Sequence, residues 1–155
     1  MIDSQKTDSR IGTGIRVGAV AAAATIGAVI GLGLRHGLAL RPFMSAGRAV
    51  LEKIGVVGTP SLTSLVGVAM VAGAIIVLGV CFTVVAAPLR GLLLLATALA
   101  FGTIAWAVSA FVVPSILALS DGAVLGDAQR VFVFGMLSVA LVVGMRLARP
   151  DTRIE

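Results

Sequence analysis

Charged side chains are scarce in this chain. Asp, Glu, Lys and Arg make up 12% of its 155 residues, against about a quarter in a soluble domain. The 60 residues 61–120 contain a single charged residue, Arg90. Hydrophobic residues make up 59% of the chain, and its mean hydropathy is +1.12. Because about 20 apolar residues already span a bilayer, this composition excludes a soluble domain and predicts an integral membrane protein.

Residues that carry chemistry are equally few. Cys81 is the only cysteine and His36 the only histidine, which excludes an internal disulfide and a metal site made of several such ligands. Neither a Gly-x-Ser-x-Gly nor a His-Glu-x-x-His motif occurs, and the acidic residues form no catalytic pair. We expect Cys81 to be a small buried hydrophobe and His36 to be a surface residue. The chain is therefore predicted not to be an enzyme, with no catalytic residue, no cofactor and no metal.

Apolar runs divide the chain into spans. They predict a single transmembrane domain over 1–155, an all-α membrane bundle of four helices at about 17–34, 61–87, 91–117 and 131–147. A tight turn at 88–91 (Pro-Leu-Arg-Gly) joins the second and third spans, and Pro114 is expected to kink the third. The first run is long for a signal peptide, so it is interpreted as a retained span. Residues 1–10 are expected to form a solvated tail, and 121–130 an acidic connector.

Residues 43–54, between the first two spans, are predicted to form an amphipathic helix. Apolar residues recur at helical spacing on one side and charged residues lie on the other: Phe43, Gly47, Val50 and Ile54 against Arg48, Glu52 and Lys53. This pattern is typical of an interfacial helix that lies on a membrane surface. Two alternatives stay open for its apolar side, contact with lipid and docking of another protein.

Small residues predict close contacts between helices. In the first span they recur at every fourth position and so lie on one face: Ala19, Ala23, Gly27 and Gly31. This spacing lets two helix backbones approach closely in a membrane. Further helix-packing positions are expected in the later spans, at Gly73, Gly102 and Gly144. The partner of the first-span face is either another helix of the chain or a neighbouring subunit.

Ionisable residues are missing from the interiors of all four predicted spans. Proton relays and ion-coupled pumps place such residues at depth, so this class of protein is disfavoured. The polar atoms at depth are hydroxyls, and each is expected to bond to a carbonyl of its own helix: Thr25, Thr83, Thr97, Thr103, Ser109 and Ser138.

Trp106 lies near the middle of the third predicted span, away from the interfacial zone where Trp is common. Its indole N–H needs a hydrogen-bond acceptor. We expect a residue that fills space between helices. The alternative is a groove for a lipid, quinone or pigment tail, lined by Phe101, Trp106 and Phe111.

Basic residues lie mainly at the ends of the spans. With cytoplasmic termini, seven Lys and Arg fall inside: Lys6, Arg10, Arg16, Arg90, Arg146, Arg149 and Arg153. Five fall outside: Arg35, Arg41, Arg48, Lys53 and Arg130. The positive-inside rule therefore favours cytoplasmic termini, in a bacterial-type inner (cytoplasmic) membrane. The residues expected to contact lipid headgroups are Arg35, Arg41, Arg48, Lys53 and Arg90.

The predicted function is structural, and it is reached by elimination. A small chain with close-packing faces but no buried charge suits an accessory or assembly subunit of a larger membrane complex. Membrane lipids and other membrane subunits, or further copies of the chain, are the expected partners; nucleic acid is not. Two alternatives stay open. One is a small transporter or channel for an uncharged or lipophilic solute. The other is a lipid-binding or lipid-handling protein, which requires convergence of Arg35, His36 and Arg41 with Asp121 or Asp127.

Overall fold

A computed structural model of the chain describes the backbone of residues 2–35, 40–112 and 127–148, and the side chains of 10–35, 40–111 and 128–148. Its elements are α1 Ile2–Arg35, α2 Arg41–Lys53, α3 Pro60–Ala86, α4 Gly91–Ala107, a π-helical segment Val108–Val112, and α5 Asp127–Ala148. Within these ranges, four helices are long and apolar enough to cross a membrane: α1, α3, α4 with the π-helical segment, and α5. The protein is an integral membrane protein, and the predicted all-α, four-helix architecture is confirmed.

Helix α1 is central to the bundle and packs against α3 at very short range. A Cβ added at Gly14 would lie 2.7 Å from Val80 Cα, and one added at Gly18 would lie 2.6 Å from Ile76 Cα. Later residues of α1 contact earlier residues of α3, so the two helices are antiparallel. Glycine at these positions lets the two backbones touch, which no larger side chain would allow.

Helix α5 packs on a different side of α1 and is also antiparallel to it. A Cβ added at Gly144 would lie 3.2 Å from Val17 Cα near one end of the pair. At the other end, Val29 and Val133 share one buried cluster. The end of α5 therefore lies beside the first half of α1, as an even number of spans requires.

Helix α4 closes the bundle mainly against α5. Although a short turn joins it to α3, those two helices make few contacts, among them the rings of Phe82 and Phe101, whose centroids are 5.5 Å apart. Within the most apolar stretch of each span, 17% of α4 is buried, against 39% of α5. Helix α4 is thus the peripheral span, and most of its surface is left for lipid.

The main buried cluster lies where α1, α3, α4 and α5 meet, and Phe82, Leu137 and Leu141 are its largest fully buried side chains. A smaller cluster of Val29, Phe43 and Val133 lies towards α2. Between helices in lipid there is little hydrophobic driving force, since acyl chains are as apolar as Leu. Close packing therefore has to hold these helices together, and glycines at the contacts make it possible.

The helix boundaries agree best with prediction in the hairpin of α3 and α4. Helix α3 covers Pro60–Ala86, α4 begins at Gly91, and Gly91 turns the chain with a φ of 58°. At the N-terminus, residues 2–10 continue α1 as helix where a solvated tail was expected. They contain no Gly or Pro, and extending an existing helix needs no new nucleation. Helix α5 begins at Asp127, inside the predicted connector.

The third predicted span, 91–117, is α-helical only as far as Ala107. The next five residues, Val108–Val112, adopt a π-helix. Pro114, where a kink was predicted, lies outside the described residues, as do 113–117 as a whole. The change of helix type was not predicted, because hydropathy reports only that the run is apolar.

Helix α2 is amphipathic, as predicted, but α3 covers its apolar side. A Cβ added at Gly47 would overlap the carbonyl oxygen of Thr63, and one added at Gly67 would overlap that of Phe43. These contacts place α2 antiparallel to α3 and alongside its first turns. Most of the apolar side of α2 therefore contacts α3 and not lipid or another protein, although Ile54 at its end is 65% exposed.

Thr59 caps the start of α3. Its Oγ1 accepts a hydrogen bond of 3.3 Å from the N–H of Leu62, and Pro60 follows in the first helical position. We expect Thr59→Ala to lower the free energy of unfolding by about 1 kcal/mol, measured by denaturation with SDS. Thr59→Ser keeps the oxygen and should match the wild-type protein. Equal losses in the two variants would contradict the capping role.

Candidate functional sites: an open helix face and an aromatic pair

The predicted small-residue face of α1 is open. Ala19, Ala23, Gly27 and Gly31 are all exposed, and a Cβ added at Gly27 or Gly31 would have no atom within 4 Å. No helix in the described part of the chain packs on this face. The sequence left two partners for this face, another helix of the chain or a neighbouring subunit. Since no described helix covers the face, a neighbouring subunit remains.

The small positions predicted in the later spans are of two kinds. Gly102 and Gly144 lie at contacts inside the bundle, where Gly102 faces Ser138 of α5 and Gly144 faces Val17 of α1. Gly73 on α3 is exposed and has open space around it. Two of the three therefore serve packing within the chain.

The sequence did not predict the tightest contacts of glycine with a facing backbone, those of Gly47, Gly67 and Gly79. A Cβ added at any of them would overlap a backbone atom of the facing helix. One signal was available, because Gly47 lies one turn after Phe43 on the apolar side of α2, where a covering helix would need a small residue. Nothing in the sequence of α3 distinguishes Gly67 from the exposed Gly73.

The cations predicted to contact headgroups are all exposed: Arg35, Arg41, Arg48, Lys53 and Arg90. The convergence that a lipid-handling site requires involves His36 and Asp121, which lie outside the described residues, and the Asp127 side chain, which does too. The structure therefore brings together no such cluster within the described ranges. In these ranges, no group of three His, Cys, Asp or Glu residues could hold a metal ion.

Hydroxyl groups along the spans bond to their own helices, as predicted, with one exception. Donor–acceptor distances of 2.8–3.0 Å join five of them to carbonyls three or four residues earlier: Thr83, Thr97, Thr103, Ser109 and Ser138. The buried hydroxyl of Thr25 has no partner. Since a threonine in a helix can turn its hydroxyl to the carbonyl four residues back, Thr25 has a local solution at Ala21.

Trp106 and Phe111 form an edge-to-face aromatic pair. Their ring centroids are 6.1 Å apart and their planes are inclined by 84°. Residues five apart point about 140° away from each other in an α-helix, but a π-helix bonds residue i to i+5 and brings them towards the same side. The pair is thus a product of the π-helical segment. Phe101, predicted to line the same groove, instead packs on Phe82 in the core.

Trp106 lies nearer one end of the bundle than the sequence predicts. A Cβ added at Gly102 would lie 3.0 Å from the carbonyl oxygen of Phe134 and 3.4 Å from Cβ of Ser138, so Gly102 is level with the turn between these two residues. Because α4 and α5 are antiparallel, one further turn along α4 brings Trp106 level with the turn between Arg130 and Phe134, near the start of α5. A cation at a span end marks the headgroup zone, where Trp is common.

The indole N–H of Trp106 is buried and has no hydrogen-bond acceptor. Within the described side chains, only this nitrogen and the Thr25 hydroxyl are buried polar atoms without a partner. Buried donors are seldom left unpaired, and each one needs an explanation. Unlike Thr25, the rigid indole ring holds its N–H too far out to reach a carbonyl of its own helix. This nitrogen is therefore a candidate binding group.

Cys81 is exposed on α3, where a small buried hydrophobe was expected. Its neighbours Gly79 and Phe82 take the inward directions of this turn, which leaves Cys81 facing outwards. A thiol behaves as a small hydrophobe, so contact with lipid is unobjectionable. In a membrane helix, apolar character alone does not predict burial.

Comparisons of the chain with protein-family models, with curated proteins and with solved structures gave no match.

Proposed function

We propose that this protein is a non-catalytic accessory or assembly subunit of a larger membrane complex. Its attachment surface is the open small-residue face of α1, made of Ala19, Ala23, Gly27 and Gly31. One observation carries the proposal. Helix α1 packs against α3 and α5 on two sides, whereas its most regular row of small residues is exposed and contacts no described helix.

A face of this shape packs better against a helix than against lipid. Gly and Ala leave a shallow groove into which a facing backbone can settle, held by dispersion and weak Cα–H contacts. Helix α1 already packs in this way on another side, where Gly18 lies against the backbone of Ile76. Acyl chains make similar contacts with any apolar surface. A row of small residues over more than three turns therefore favours a protein partner.

Arg16 indicates what the partner carries. It precedes Ala23 by seven residues and Gly27 by eleven, so at about 100° per residue it points within about 20° of both. Arg16 is exposed. The open face therefore has a cation at one end, on the same line as its small residues.

The depth of Arg16 strengthens this point. Gly14 and Gly18 face Val80 and Ile76 of α3, which places Arg16 level with residue 78, eight residues before α3 ends. At 1.5 Å per residue this is about 12 Å. Helix α3 stays apolar beyond that level, with Val84 51% exposed and Val85 52% exposed. A cation at this depth in the apolar part of a bilayer is costly. We therefore propose that the partner helix places an acidic side chain opposite Arg16.

We place both termini on the cytoplasmic side of a bacterial-type inner membrane. Over the whole sequence, seven Lys and Arg lie at the terminal ends of the spans or in the 88–91 turn, against five in the two other connectors, and the positive-inside rule therefore supports this orientation. The cations of α2 and its flanks then contact phosphates of the outer leaflet.

Purification from native membranes tests the proposed function. The chain carries a C-terminal tag and is extracted in a mild detergent, and the eluate is examined by mass spectrometry and native mass measurement. We expect one or a few integral membrane proteins, or further copies of the chain, in a fixed ratio. A monomer accompanied only by lipid in every mild detergent tried would contradict the proposal.

A further inference from the structure

We propose that Trp106 and Phe111 form a lipid site, in which the indole N–H donates a hydrogen bond to an ester carbonyl of a bound diacyl lipid. This site goes beyond the proposed assembly function. It lies on α4 and the π-helical segment, which contribute nothing to the open face of α1, so either proposal can fail without the other.

The acceptor has to come from outside the described fold. The hydroxyls of Thr103 and Ser109, each three residues away, donate to the carbonyl oxygens of Leu99 and Trp106, and neither accepts a hydrogen bond from the indole nitrogen. The indole N–H itself has no partner. An unpaired buried donor destabilises the fold, and a bound acceptor would remove that cost.

The position of Trp106 favours an ester carbonyl. Trp106 is level with the turn between Arg130 and Phe134, slightly deeper than the cation, and ester carbonyls lie just inside the headgroup phosphates that cations at the ends of spans contact. The outer surface of the same stretch is apolar, with Ile104 55% exposed, Val108 43% exposed and Phe111 67% exposed. A molecule with a carbonyl beside an acyl chain matches this combination of a single donor and apolar surface.

Phe111 is the side chain that we propose to control access to the indole N–H. Because the nitrogen is covered in the protein alone, a carbonyl reaches it only if a neighbouring side chain moves. Phe111 meets Trp106 edge to face, and its exposed position allows the ring to turn outwards into lipid. Binding is therefore expected to separate this pair and to replace the ring edge with the carbonyl and the start of an acyl chain.

The test uses the fact that Trp106 is the only tryptophan. In protein labelled with ¹⁵N-tryptophan, a single indole N–H resonance is followed in nanodiscs of diether phosphatidylcholine, which has no ester carbonyl. Diester phosphatidylcholine is then added in steps. We expect the indole proton to move downfield and to saturate while the diester lipid is still a minority. No movement would overturn the proposal, and so would movement in proportion to the diester fraction over the whole range, which indicates non-selective contact.

Two further experiments identify the source of the carbonyl and test the role of Phe111. If the diester lipid has no effect but an apolar benzoquinone in diether discs moves the resonance downfield, the lipid proposal is overturned in favour of a quinone. Phe111→Ala removes the ring that binding has to displace and should therefore lower the diester fraction needed for half of the shift several-fold. Phe132→Ala removes a comparably exposed aromatic ring on α5 and should leave it unchanged. Equal effects of the two variants would contradict a site at Phe111.

Discussion

Gly67→Ala should destabilise the bundle by about 3 kcal/mol. The new Cβ would overlap the carbonyl oxygen of Phe43, and that oxygen belongs to a helix backbone that cannot rotate away. Overpacking costs about 1–3 kcal/mol, and a contact with backbone belongs at the upper end. In a chain of this length, such a loss lowers the melting temperature by about 10 °C. The measurement is the temperature at which half of the protein leaves the monodisperse peak in size-exclusion chromatography.

Gly73→Ala is the matched control on the same helix. Gly73 has open space around it, and alanine exceeds glycine in helix propensity by about 1 kcal/mol. This variant should be as stable as the wild-type protein or more stable. If Gly67→Ala melts at the same temperature as Gly73→Ala, then α2 does not pack against α3 in the membrane.

Gly27→Leu should detach the protein from its partner while leaving its own fold intact. No atom lies within 4 Å of a Cβ at Gly27, so the leucine meets nothing in the described bundle. Between two closely packed helices, however, the same side chain separates the backbones. A cost of about 1.4–3 kcal/mol weakens association roughly 10-fold to 100-fold. The measurement is the amount of partner recovered with the tagged chain, normalised to the chain itself.

Gly135→Leu controls for added bulk in a span. Gly135 is exposed on α5, and a Cβ there also has no atom within 4 Å. Both variants should keep the wild-type melting temperature, and partner recovery should fall only for Gly27→Leu. Normal recovery with Gly27→Leu would show that the open face of α1 is not an attachment surface, whatever the partner.

Hydropathy predicted the spans because it is a property of each segment alone. Residues 61–87 were expected to form a helix, and α3 covers Pro60–Ala86. The same apolar sequence hides the packing, since a membrane helix is apolar towards its neighbours and towards lipid. Gly67 is buried and Gly73 exposed on one helix, and no pattern in the chain separates them. The side of α3 that faces α2 was therefore beyond prediction.

The sequence predicted the residues of the two candidate sites better than it predicted their surroundings. The row of small residues on α1 follows from a spacing of four, but only the packing of α3 and α5 on other sides leaves that row bare. Trp106 could be singled out as a donor without an obvious acceptor. Its pairing with Phe111 depends on a π-helix, which differs from an α-helix by one residue in its bonding and has no strong sequence signature.

Photocrosslinking along α1 in intact membranes tests the attachment surface most directly. A photoreactive amino acid replaces, one at a time, the residues of the open face: Ala19, Ala23, Gly27 and Gly31. The controls are Gly73 and Gly135, which are exposed on other helices. We predict one protein adduct of the same mass from the α1 positions and none from the controls. If the α1 positions capture only lipid, or capture protein no more often than the controls, the open face does not bind a partner.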